Sequence, residues 1–171
     1  MSTRNRLILF AVVFVLLYAA VHLVTGFERW FIDGLTVPTA AWAINTLGLS
    51  AETAVASGSR LVVPGGGLNV LQGCEGLDVL GLWLAATAAS PLTARGKWLA
   101  WTVGTAIVFT LNQVRLLSLF HLYRAHRQWF GEAHSLWWPL ALVALVWALF
   151  ALWQRGFGLR PDTPPHGQVP A

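Results

Sequence analysis

Long apolar runs set the rhythm of this chain, and polar positions gather in the gaps between them. LILFAVVFVLLYAAVHLV (Leu7–Val24) is interrupted only by Tyr18 and His22, and LWWPLALVALVWALFALW (Leu136–Trp153) has tryptophans at both ends. Each is 18 residues long. At about 1.5 Å per helical residue, that is within tolerance for a hydrocarbon core of about 30 Å. The terminal tryptophans suit an interfacial aromatic belt. Two further runs lie between, from Cys74 to Ser90 and from Trp98 to Leu119. The pattern predicts four spans, at about 7–24, 74–90, 98–119 and 136–153.

The gaps predict smaller elements. From Pro38 to Leu49 the chain reads as a helix lying on or dipping into the outer interface. Leu61–Val63 and Leu68–Leu71 flank Pro64-Gly65-Gly66-Gly67, which reads as a short β-hairpin that leads straight to Cys74. Open strand edges are not tolerated in lipid, so this ribbon belongs in water or against protein. Residues 154–171, rich in proline and glycine, are expected to form a disordered cytoplasmic tail. The expected fold is an all-α integral membrane bundle of about four transmembrane helices. An extracytoplasmic interfacial helix and the hairpin complete it, and residues 1–153 make one membrane-embedded domain.

Composition agrees with that picture. The chain is 56% hydrophobic and 11% charged, where a soluble domain carries about a quarter charged residues. The first run is longer than a signal-peptide core and no small-x-small cleavage site follows it, so an uncleaved anchor is expected. With the N-terminus inside, Arg4, Arg6, Arg95, Lys97, Arg155 and Arg160 fall on the cytoplasmic side. Arg29, Arg60, Arg124 and Arg127 fall outside, mixed with acidic residues. The bias favours N-in, C-in topology. The net charge of +4 then reflects topology and contact with anionic lipid, not nucleic-acid binding.

In that topology three chemically unusual residues come to one membrane face. Cys74 stands at the outer end of the second span, Arg115 late in the third, and His134 just before the fourth. An arginine within a span costs about 2.5 to 3.5 kcal/mol or more and marks function by default; the alternative is a side chain that snorkels to headgroups. Asn112 shares its helical face, and Ser118 extends that stripe. A lone cysteine is often an inert small hydrophobe. Cys74, however, lies between Gly73 and Gly76 at an expected helix start, where the dipole and a nearby guanidinium favour a thiolate. Gly73 and Gly76 would give a substrate backbone clearance. Adjacent Glu75 opposes thiolate formation. His134 suits a general acid/base, with Glu132 as a candidate to orient it, or it is an interfacial histidine; His121 and His126 compete. Cysteine, arginine and histidine together suggest acyl transfer through a thioester. One cysteine with scattered histidines has no metal-ligand spacing, and no phosphate-binding loop is present. No cofactor is expected.

CEGL at a span start, NQVR late in the next span, and FGEAHSLWWP before the last resemble the exosortase/archaeosortase family, in particular the short exosortase H branch. The resemblance covers roughly residues 60–153. It implies a cysteine transpeptidase of the bacterial inner membrane with its active site on the extracytoplasmic face. Its substrates would be exported proteins ending in a recognition motif, a transmembrane helix and a basic cluster, transferred to a cell-surface acceptor. Cys74 matches the family's nucleophile, Arg115 its arginine and His134 its histidine. Asn112, Gly76 and Glu132 are the expected supporting residues. Two departures stand out: Glu75 replaces a small polar residue, and the extra N-terminal spans of longer members are missing. Two other readings remain, a purely hydrolytic membrane cysteine peptidase and a non-enzymatic assembly protein in which Arg115 pairs with a partner helix.

Overall fold

The first apolar run folds as α1 (Thr3–Leu23) in the computed structural model, which describes residues 2–24, 26–71 and 73–158. Next come α2 (Phe27–Phe31), a widened π turn (Ile32–Thr36) and α3 (Val37–Leu47). Three short strands follow, β1 (Val55–Ser57), β2 (Arg60–Val63) and β3 (Gly66–Asn69). The chain then forms α4 (Leu77–Ala89), and α5 (Ala94–Leu99) continues through a π turn (Ala100–Gly104) into α6 (Thr105–Ala125). Finally α7 (Arg127–Glu132) runs through a third π turn (Ala133–Trp137) into α8 (Trp138–Phe157).

Three of these rods are long and apolar enough to cross a membrane: Thr3–Leu23, Ala94–Ala125 and Arg127–Phe157, of 21, 32 and 31 residues. The run expected as a fourth span is shorter. It starts only at Leu77 and has 13 residues, about 20 Å of helix. Gly73 and Gly76 take φ of +82° and +86°, left-handed values that keep the helix from beginning at Cys74. The last helix outruns its expected limits and includes Gln154–Phe157; the remainder of the expected tail, from residue 159, lies outside the described residues.

α4 runs antiparallel to α1 and packs against α1, α6 and α8. Its fully buried Trp83 donates through Nε1 to the Ala100 carbonyl at 2.9 Å and meets Trp153 edge-on. Gly104 makes that possible, because a Cβ there would lie 2.3 Å from the indole. At the same end Thr93 N–H donates to the Phe157 carbonyl and Trp153 Nε1–H to the Gly96 carbonyl, both at 3.0 Å. These bonds fasten the α4–α5 connection to the end of α8.

The expected hairpin is present, but inside a three-stranded antiparallel sheet of order β1-β2-β3. Its tip is Pro64-Gly65, with Gly65 at φ +83°, the residue order a type II turn requires. β1 is too short and too mixed in character to stand out as a strand. It is held because both Asn45 amide atoms bond the Ala54 main chain, at 2.8 and 2.9 Å. Leu61 and Val63 face inward against Val37, Ala40 and Ile44 of α3 and Leu116 and Phe120 of α6. α3 therefore buries one face against the sheet and α6. Its range nearly matches expectation, ending at left-handed Gly48.

Candidate active site

Three elements meet beyond the start of α4. The loop between β3 and α4 brings Cys74, α6 brings Asn112 and Arg115, and the third π turn brings His134. Cys74 Sγ is 3.0 Å from His134 Nε2, a separation at which the thiol proton can pass to the imidazole when Nδ1 carries the ring hydrogen. Arg115 is buried at 6% exposure. Its guanidinium lies beside the thiol, one amine contacts Asn112 Oδ1 at 3.5 Å, and Nε has no hydrogen-bond partner among the described residues. That leaves Nε as an unused buried donor of the arginine.

Asn112 clamps the loop. Its Nδ2 donates to the Glu75 carbonyl at 2.8 Å and the Cys74 carbonyl at 3.3 Å. Gly76 permits this approach, since a Cβ there would lie 2.6 Å from the Asn112 amide carbon. Gly76 thus makes room for Asn112, whereas the sequence suggested clearance for a substrate; Gly73 is the one open to space. Gly76→Ala is expected to lower the thermal midpoint in detergent, through about 1 to 2 kcal/mol of left-handed strain plus displacement of Asn112. A midpoint equal to wild type would count against the clamp.

Burial pushes the Cys74 thiol above its usual range, the Arg115 charge and hydrogen bond pull it back, and Glu75 adds to the rise. The expected activation by a helix start is not realised, because Cys74 lies three residues before α4. His134 is the side chain placed to take the thiol proton. Glu75 is 2% exposed, and the N–H groups of Glu75 and Gly73 meet its carboxylate. It folds the loop back on itself and turns its charge into the protein. Burial raises its own acidity range, reinforced by Glu28 and Asp78.

The signs give a direct test. Alkylation of Cys74 by iodoacetamide, followed by mass against pH, should be faster in Glu75→Gln and slower in Arg115→Ala at pH 7.5. Opposite signs would mean the two side chains do not face the sulfur as described. Because the folded Glu75 pKa is raised, its contribution to stability is full below the unfolded value and is lost as pH rises through the folded one.

His134 owes its aim to the π turn. Pro139 lacks an N–H, so it leaves the Ser135 carbonyl without its usual i+4 donor. The turn immediately before it widens, and Trp138 N–H bonds the Ala133 carbonyl. Such bulges recur at functional sites. Proline five residues after the histidine was the available signal for this. Phe130, not singled out from sequence, stacks on His134 at 5.7 Å between centroids and 22° between planes. Glu132 is exposed and on a different side of the helix, as its i,i+2 spacing dictates, so it does not join the site. Ser118 donates to the Arg115 carbonyl at 2.8 Å. His121 lines a separate surface pocket, exposed His126 caps α7, and His22 approaches Glu28 at 3.8 Å.

The cavity at the site is small, about 40 Å³, and is lined by Cys74, Arg115 and His134 together with Leu68, Asn69 and Val70. A larger one, about 360 Å³, is a mainly apolar groove between α1 and α4, with Asp78 and Thr105 among its lining residues. Among the described residues no group of three or more histidine, cysteine, aspartate or glutamate side chains is placed to hold a metal ion. No family model, curated protein or solved structure matches this chain.

Proposed function

We propose that the protein is a membrane cysteine transpeptidase of the exosortase type, which cleaves the C-terminal sorting tail of exported proteins and transfers them to a cell-surface acceptor. The observation that carries this reading is the 3.0 Å contact between Cys74 Sγ and His134 Nε2 beside a buried arginine. In the first step the sulfur attacks the scissile carbonyl and its proton moves to His134. Arg115 stabilises the oxyanion. Collapse breaks the C–N bond, His134 returns the proton to the departing amine, and a thioester remains. An acceptor amine or hydroxyl then attacks the thioester, His134 takes its proton, and the thiol is restored. With water as acceptor the same steps are hydrolysis.

The membrane reading rests on the three long apolar helices. α4 serves as a short fourth crossing, which brings Arg95, Lys97 and Arg155 to one side, with the fastened helix ends. That side is the cytoplasm in an N-in, C-in arrangement, and the cysteine faces the extracytoplasmic side of a bacterial inner membrane. The test is capture of the intermediate. Membranes exporting a reporter with a C-terminal apolar helix and terminal arginines should yield a hydroxylamine-sensitive adduct on Cys74, seen by intact mass. Turnover of the reporter without such an adduct would overturn the covalent mechanism.

A further inference from the structure

A cavity of about 40 Å³ admits one reacting group and no more, so the rest of a peptide substrate must lie along the surface beside it. Three consecutive residues, Leu68, Asn69 and Val70, line that cavity. Leu68 and Asn69 end β3 and Val70 follows at once; side chains of a strand alternate between its faces, so a cavity shared by such neighbours runs along the strand's edge. β3 is the terminal strand of the sheet, paired with β2 on one side only.

The register says which main-chain groups are available there. Arg60 stands opposite Asn69 and Leu61 opposite Leu68, and Val70 N–H donates to the Ser59 carbonyl at 2.8 Å. Hydrogen-bonded and non-hydrogen-bonded pairs alternate in an antiparallel ladder. Val70, Leu68 and Gly66 therefore bond toward β2, while Asn69 and Gly67 turn their N–H and C=O groups to the free edge. Asn69 is exposed, and its side chain is occupied by Ser59 at 2.8 Å, away from that main-chain edge.

The geometry points to β3 as the docking edge for the substrate. An extended segment next to the scissile bond adds as a fourth strand, exchanging main-chain bonds with Asn69 and Gly67, and hands its carbonyl to Cys74. Recognition of this kind takes affinity from main-chain bonds and tolerates varied side chains. The inference rests on the peptidase reading above, and continuity of the edge with the cysteine cavity favours a peptide occupant over a second copy of the chain.

The test uses the full-length protein in detergent and two electrophiles, acetyl-tetraalanyl vinyl sulfone and ethyl vinyl sulfone. Cys74 should react faster with the peptidyl reagent. Methylating its amide nitrogens one at a time should slow the reaction about 10-fold at alternate positions, with a period of two. Asn69→Pro removes the outward N–H and leaves the β2 ladder bonds, so it should lower the ratio of the peptidyl rate to the ethyl vinyl sulfone rate by a similar factor. The methylation series uses the unaltered protein and decides the matter even if Asn69→Pro misfolds. A reactive thiol indifferent to every methylation would overturn edge pairing alone. A thiol inert to both reagents would overturn the catalytic reading and this inference with it. Loss of a cross-linkable dimer in Asn69→Pro, with peptidyl labelling unchanged, would assign the edge to a second copy.

Discussion

Cys74→Ala is expected to stop processing of a tailed reporter by about 10⁴-fold or more, the scale seen when a catalytic nucleophile is removed. Stability should hardly change. Cys74 is only half-buried and removing its sulfur opens little space in the core, so the variant should insert and melt like wild type. Abundance in membranes and thermal midpoint supply that control, and reporter cleavage by immunoblot supplies the readout. Cleavage at the wild-type rate in a stably inserted variant would leave the assembly-protein reading. The product then separates the two enzymatic readings: a conjugate indicates transfer, a free carboxyl terminus hydrolysis.

His134→Ala carries the second-largest expected effect, a loss of about 10² to 10⁴ in processing, the range for a positioned acid–base group. The pH dependence distinguishes it from a general disturbance. With no imidazole 3.0 Å from the sulfur, iodoacetamide labelling at neutral pH should fall. It should recover at alkaline pH, where hydroxide generates the thiolate. Processing should stay low throughout, because the departing amine still lacks a proton donor. Parallel recovery of labelling and processing would mean that His134 only deprotonates the thiol and another group serves the leaving amine. Phe130 stacks on the ring, so Phe130→Ala should show a milder version of the same profile.

Much of this site could be read from the sequence because its residue types are out of place in an apolar chain. Arg115 and Asn112 share a helical face, and that spacing survives in any packing. Cys74 and His134 are 60 residues apart, and only topology brought them to one side. What escaped depends on backbone detail. The start of α4 is set by left-handed Gly76, the aim of His134 by a π turn before proline, and β1 by side-chain bonds from a distant helix. Glu132 was proposed for its nearness in sequence, which on a helix turns it elsewhere. Glu75 looked like an obstacle to the nucleophile. In the folded chain it is a loop anchor whose carboxylate bonds local N–H groups and whose main chain is held by Asn112.

The short α4 has a further consequence. Beside rods of 31 and 32 residues, a helix of 13 leaves a step in the rim of the bundle, directly at Cys74. The loop that carries Cys74 and the sheet packed on α6 occupy that step. In the proposed orientation, a tethered substrate can then reach the sulfur without lifting its own helix from the bilayer.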